Sequence, residues 1–383
     1  MSRTFKVEVD PKVFRWLRES SGWTREEVAK RLGVRVELVE AIEAGSRQPT
    51  LRQLKELSNA YKRPLATFLL SVPLPEPPLP KDYRMLPGRT DVFHKKTIYA
   101  IRKARSLQDV SAEMLINFND SVEPRVKRGS ISDNPEAAAS TYRKAFELSI
   151  EMQAGFKTGY EFFNHLRGAI EAQNVLVFQL SMPVEDARGF ALTDGNPNAV
   201  IINSADSIEA RTFTLMHEFG HVLLGETAID MPDIAAGTTH KVENWCNSFA
   251  SEFLLPKELA KEAFKSEGGA LTEPKTLGKL SRRYKVSKGM LSYKMYKLNF
   301  ITKPAYEGIL ARYVPGKPEP APGEGKKGGG IPAEIKCLSE VGNKFVSIVA
   351  NNYDRNFITF TDALNYLSIR SKSFDRVLAR AKQ

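Results

Sequence analysis

The chain has 383 residues, 42% of them hydrophobic and 26% charged, which leaves room for two or three folded domains and excludes both a lone mini-domain and a disordered chain. Fifty-six lysines and arginines stand against 45 aspartates and glutamates, a formal excess of +11 that favours polyanions wherever it is clustered. Two cysteines, Cys246 and Cys337, exclude a disulfide framework and a four-cysteine zinc site and point to a reducing compartment.

The opening MSRTFKVEVD lacks an apolar h-region, and no stretch approaches 18 apolar residues, so neither a targeting peptide nor a membrane contact is expected, and the cytoplasm is the expected location. Residues 11 to 70 read as four short helices. The first runs from Pro11 to about Glu19 and breaks at Ser20-Ser21-Gly22. Thr24 with Glu27 makes a capping box for the second, whose apolar stripe is Val28 and Leu32 and whose end is Gly33. A third carries Leu38 and Ile42 to Gly45, and Thr50 caps a fourth through Leu51, Leu54 and Leu57. WTREEVAKRLGV, VELVEAIEAGSRQPT and LRQLKELSNAYKRP follow the landmarks of the XRE helix-turn-helix family, and residues 1–70 resemble it. The resemblance implies a DNA-reading third helix. That helix carries Val36, Glu37, Val39, Glu40 and Glu43, with Arg35 its one cation, and acidic side chains repel phosphate. Sequence-specific DNA contact therefore competes with a bundle that meets only protein. Arg35 and Arg47 are the candidate nucleic-acid contacts here.

From Val72 to Gly88 six of 17 residues are proline, so residues 71–90 form a proline-rich linker, read as a semi-rigid spacer. Helical patterns follow over 91 to 118, 135 to 154 and 160 to 173, then three β-rich runs, NVLVFQL (174 to 180), RGFAL (188 to 192) and NAVIIN (198 to 203). These predict a small sheet. The next helix, from about Asp206 to Gly225, contains His217-Glu218-Phe219-Gly220-His221. Spacing of i, i+4 puts both imidazoles on one face, one turn apart, where they can share a metal ion. In a zincin the intervening glutamate takes a proton from the activated water. With five histidines in the chain, composition alone yields roughly 0.005 such motifs. Two histidines leave zinc underbound, and a third ligand is sought on the helix that begins near Glu243. Glu243 is the preferred ligand, Glu252 the competitor, and Cys246 a weaker choice; Asn247 is placed to orient a histidine from behind. The rival is an ordinary apolar helix whose histidines and glutamate serve nothing, a costly use of buried polar groups.

ARTFTLMHEFGHVLLGE (210 to 226) and ENWCNSFASEFLLP (243 to 256) are similar to the two signatures of the ImmA/IrrE zinc metallopeptidases. The chain resembles the long form with an N-terminal XRE module, whose exit is echoed in KRPLATFLL and LPKDYRMLPG. The resemblance implies a zincin-like core over 91–270 with Zn²⁺ held by His217, His221 and Glu243, Glu218 as catalytic base, and cleavage of a helix-turn-helix repressor that silences stress or mobile-element genes. Cys246 departs from the family, which usually has alanine there.

Residues 271 to 300 hold eight basic residues against Glu273 alone, and residues 271–314 form a basic helix-turn-helix-like element with a turn at Lys285-Val286-Ser287. It reads as a structural cradle or a nucleic-acid contact, with Arg282, Arg283, Lys285 and Lys288 the contact candidates. Residues 315–330 are a Pro/Gly/Lys-rich loop, and residues 331–383 a C-terminal helical module with Thr361 capping a helix from Asp362. His94, His165 and His240 are expected to be structural or exposed, His240 being also a candidate to polarise a carbonyl.

The expected class is α+β: an all-α N-terminal domain, a mainly helical zincin-like domain with a small sheet, and a helical C-terminal module. The expected function is an intracellular zinc endopeptidase that cleaves a protein regulator. The alternative is a DNA-binding regulator, or antitoxin-like protein, that acts by binding rather than hydrolysis.

Overall fold

The computed structural model describes residues 5–76, 93–118, 123–225, 228–230, 241–312 and 331–381. Most of the proline-rich stretch, residues 77 to 90, the Pro/Gly/Lys stretch 315 to 330 and His240 lie outside these residues. The described residues divide into two units, 5–76 with 93–103, and 104–381.

In the first unit, α1 (Pro11–Glu19), α2 (Arg25–Leu32), α3 (Val36–Glu43) and α4 (Leu51–Tyr61) are followed by a 3₁₀ turn, Leu65–Leu69. The starts of α1, α2 and α4 are set by side chains that satisfy orphan amides, while α3 begins at Arg35 without a side-chain cap. Asp10 accepts from Lys12 and Val13, and Thr24 and Thr50 make capping boxes with Glu27 and Gln53. Phe14, Leu17, Val28, Val39, Leu54, Leu57 and Phe68 close a common core, each buried side chain being worth about 1.5 to 3 kcal/mol. Glu43 does not lie on the outer surface of α3, as its place in the sequence led us to expect. It is buried and bound by Arg18 (Nε to Oε1, 2.5 Å) and Arg25 (Nε to Oε2, 2.8 Å). Burial pushes its carboxyl up, but the two guanidinium groups outweigh that and hold it below the usual range.

α5 (Lys95–Ile116) runs across the division at Lys103–Ala104. The second unit continues with α6 (Pro135–Ala145), α7 (Ile150–Gly155) and α8 (Gly159–Ala172). The pattern expected as one helix over 135 to 154 is thus two, because Glu147 takes a left-handed φ of 52° and Ser149 caps a new start on Met152. Strands β1 (Leu176–Leu180), β2 (Gly189–Leu192) and β3 (Ala199–Asn203) follow. A fourth, β4 (Ala228–Asp230), was not foreseen. The order is β1-β3-β2-β4, with β1 parallel to β3 and the other pairs antiparallel. Strands β1, β2 and β3 are buried throughout, as in a sheet covered on both faces.

One face meets α8 and α9 (Ile208–Leu224), over which α10 (Lys241–Leu254) is laid, itself packed on α6. α11 (Lys257–Glu267), α12 (Pro274–Tyr284), α13 (Lys288–Lys297) and α14 (Lys303–Leu310) extend this layer. Leu277, Leu280, Tyr284, Met290, Leu291 and Met295 join its core. The other side of β1 meets α15 (Ala333–Asp354), where Phe345 stands edge-on to Phe178 at 5.8 Å. α15 is broken at Gly342, whose φ of 81° and ψ of 163° only glycine adopts readily. A Cβ there would fall on the carboxylate of Glu171, which pairs with Arg167 at 3.1 Å in a buried bridge. Arg167 also donates to the carbonyls of Leu338, Ser339 and Val177, tying α8, β1 and α15 together. α16 (Phe360–Leu367) and α17 (Phe374–Ala381) complete the chain. Thr359 caps α16 through a box with Asp362, two residues before the cap expected at Thr361.

Candidate metal centre

α9 begins where the Ser207 hydroxyl accepts the Ala210 amide at 3.3 Å. It then buries Leu215, Met216, Phe219, Val222 and Leu223. A turn of 100° per residue sets His217, Gly220 and His221 on the side that meets α10, and on α10 sets Glu243, Cys246 and Asn247 on the side that meets α9. Gly220 makes the crossing close. A Cβ added to it would stand 3.1 Å from Cys246 Sγ and 3.3 Å from its Cα and Cβ. Glycine costs about 1 kcal/mol relative to alanine inside a helix, and here that is exchanged for a short distance between the two backbones.

Three donor groups meet at that crossing. His217 Nε2 lies 3.2 Å from His221 Nε2 and 3.2 Å from Glu243 Oε2, and His221 Nε2 lies 3.3 Å from Glu243 Oε1. Both histidines are fully buried and Glu243 is 4% exposed. A tetrahedral ion with bonds of about 2.0 to 2.2 Å holds its donors about 3.3 to 3.6 Å apart, so these residues fit a zinc-sized divalent cation. With its Nδ1–H given to Asn247 Oδ1, a neutral His217 presents an unprotonated Nε2 to Glu243 Oε2, lone pair against lone pair, and a shared cation removes that conflict. Burial raises the Glu243 carboxyl, but hydrogen bonds and charge from His217 and then His221 outweigh it and hold the group well below the usual carboxylate range. Asn247 Oδ1 lies 2.9 Å from His217 Nδ1. It accepts that N–H and so fixes the tautomer in which Nε2 is unprotonated and turns its lone pair toward the ion place.

Glu218 is wholly buried, with its stem against β2. A Cβ on Gly189 would stand 3.3 Å from Glu218 Cγ and 2.8 Å from the Ile201 carbonyl, so this glycine is what admits the side chain. Neither Gly189 nor Gly220 was singled out from the sequence; a glycine inside an apolar helix or strand run was the available sign. Glu252 is not at the centre. Nine residues past Glu243, it projects from the opposite side of α10 and binds the Lys294 ammonium and the Lys257 amide. Cys246 is a buried packing residue against Gly220. His94 is exposed, and His165 packs against the Phe156 ring at 5.3 Å. Arg35, Arg47, Arg282 and Arg283 are exposed, while Lys285 and Lys288 are half-buried. Lys294, counted with the basic run, is buried in its bridge to Glu252.

Residues 170–296 match the family model described as the IrrE N-terminal-like domain, of peptidase family M78, and residues 14–68 match a helix-turn-helix model. Over 130 residues the chain is 31% identical to the radiation response metalloprotease IrrE of Deinococcus radiodurans. The match spans 33% of this chain and 37% of that protein, a little over a third of the relative's length. No described helix is long and apolar enough to cross a membrane. The chain therefore carries a helix-turn-helix domain and, downstream of it, an IrrE-like domain of the M78 peptidase family.

Proposed function

We propose that the chain is a zinc-dependent endopeptidase acting in the cytoplasm on a protein regulator, with His217, His221 and Glu243 as metal ligands and Glu218 as catalytic base. The observation that carries this is the convergence of two imidazole nitrogens and one carboxylate, 3.2 to 3.3 Å apart, on the crossing of α9 and α10. When bound, a zinc ion there supplies Lewis acidity that polarises a scissile carbonyl and acidifies a water. Glu218, adjacent to His217 on α9, takes the proton of the attacking water and returns it to the leaving nitrogen. Asn247 holds His217 in the tautomer that points Nε2 at the ion place. The burial around Glu218 limits competing water, which strengthens each of these interactions.

A helix-turn-helix repressor is the proposed substrate. The reading is supported by the helix-turn-helix domain in the same chain, by the likeness to a radiation response metalloprotease, and by the family resemblance of the two signatures. The working limits are a helix-turn-helix domain over 1–70, a linker over 71–90, the peptidase unit over 91–270, a basic element over 271–314, a loop over 315–330 and a C-terminal module over 331–383. A second reading, regulation by binding DNA without hydrolysis, is favoured by the exposed Arg35 at the start of α3 and the exposed Arg47 in the turn before α4.

The deciding experiment incubates the full chain with the product of the neighbouring gene, with and without a chelator, and follows fragments by mass spectrometry. Glu218→Gln should keep stoichiometric zinc by elemental analysis and lose cleavage by at least about 100-fold; His217→Ala should lose both. If both variants regulate in cells as the unaltered chain does, hydrolysis is not the function.

A further inference from the structure

The helix-turn-helix-like pair formed by α12 and α13 has an arrangement that bears on what it can bind. α13 is occupied on both sides. Inward, Met290, Leu291 and Met295 enter the core and Lys294 bridges to Glu252. Outward, Gly289, Tyr293 and Tyr296 meet α14. The Tyr306 ring stacks on Tyr296 at 5.4 Å and stands edge-on to Tyr293 at 6.3 Å, and Leu310 Cδ2 lies 3.6 Å from where a Cβ on Gly289 would be. The helix that would enter a groove and touch base edges in a DNA-reading motif is covered here by the helix that follows it.

α12 is different. Lys275, Lys279, Arg282 and Arg283 are all exposed and fall within about 100° of arc on a helical wheel, opposite the buried Leu277 and Tyr284. Lys279 is bridged to Glu267 at 2.7 Å. Among the described residues no ion pair engages Lys275, Arg282 or Arg283. Arg282 Nη1 and Lys288 Cε lie 3.6 and 4.0 Å from the point where a Cβ on Gly278 would stand, so two basic side chains converge over that glycine. The stripe from residue 275 to 283 is about 12 Å long at 1.5 Å per residue, close to the width of the B-form major groove. Cations at its ends can therefore reach phosphates on opposite walls. The deep, narrow major groove of duplex RNA offers no such span.

We propose that the outward side of α12 is a docking surface for the phosphates of duplex DNA, sequence-independent because α14 keeps α13 from the bases. The surface binds by counterion release and would hold the chain on DNA, where DNA-bound regulators are found. It stands apart from the peptidase assignment and does not need it.

The test uses the full chain, and fluorescence anisotropy with several unrelated DNA duplexes of about 20 base pairs and a matching RNA duplex, at roughly 50 to 300 mM salt. The unaltered chain should bind every DNA duplex within about threefold of the others, and the RNA duplex more weakly. Arg282→Glu with Arg283→Glu should weaken binding to all DNA sequences by one common factor, about 10- to 30-fold near physiological salt. It should also lower the slope of log affinity against log salt by about 2. Arg35→Glu with Arg47→Glu, in the other helix-turn-helix unit, should leave that part unchanged. Lys275→Ala with Arg283→Ala gives a milder pair should the first lower the melting temperature. Any one of four results would overturn the proposal: no DNA binding at low salt, the α12 variants binding as the unaltered chain does, a sequence preference that the α12 pair abolishes, or RNA bound as tightly as DNA.

Discussion

Replacing Gly220 by alanine tests whether the closeness of α9 and α10 is what assembles the metal centre. The added methyl would meet Cys246 at 3.1 to 3.3 Å, whereas such atoms rest about 3.5 to 4.0 Å apart, so α10 must withdraw by about half an ångström. Glu243 lies one turn before Cys246 on the same rigid helix and moves with it. Its separations from the two imidazole nitrogens, 3.2 and 3.3 Å, would open to about 3.7 Å, so an ion kept on the imidazoles would see its carboxylate bond stretched by up to about 0.5 Å, more than the tolerance of about 0.2 Å on such bonds. Helix propensity returns about 1 kcal/mol and overpacking removes about 1 to 3 kcal/mol, so stability should fall by about 1 kcal/mol while zinc affinity falls about 10- to 100-fold. Competition titration against a chromophoric chelator measures the second, and thermal unfolding the first. Adding Cys246→Gly removes the Cβ and Sγ that the new methyl meets and should recover most of the affinity. Unchanged zinc affinity in Gly220→Ala would refute the idea that this contact positions Glu243.

Asn247→Ala should lower zinc affinity about 10- to 100-fold with little change in melting temperature, because the His217 N–H loses its acceptor; equal affinity by the same titration would assign Asn247 a packing role only. Gly342→Ala should destabilise the second unit by more than about 3 kcal/mol, since it combines a forbidden backbone angle with a clash on Glu171. Hydrogen exchange should then rise across α15 first. Glu43 is depressed when folded, so its contribution is present above the ordinary carboxylate range and lost as the pH falls through its lowered value. Glu43→Gln should cost about 3 kcal/mol near neutrality and flatten the acid limb of the first unit's stability curve; an unaltered acid limb, read by denaturant titration at several pH values, would contradict the role given to Arg18 and Arg25.

Much of the centre could be read from spacing alone. Histidines four apart share a helix face whatever surrounds them, and the caps at Thr24, Thr50 and Ser287 are local events fixed within three residues. What escaped is what depends on a partner far along the chain. Lys294 looks like one more solvated cation and Glu252 like a rival ligand until α10 and α13 are side by side, and Glu43 looks like a surface acid until Arg18 and Arg25 close on it. Gly189 and Gly220 carry no chemistry of their own; their value is the room they leave for Glu218 and Cys246. The same limit hid the cover that α14 places on α13 and the seat of α15 on β1.

β1 lies at the rim of the sheet, and its outward acceptor at Val177 is taken by the guanidinium of Arg167. A strand from another molecule seeking that rim would find the hydrogen-bond position filled and a cation in its path. The bridge that anchors α15 thus also guards the chain against edge-to-edge polymerisation, a safeguard that matters most when a cell under stress holds partly unfolded proteins with strands to spare.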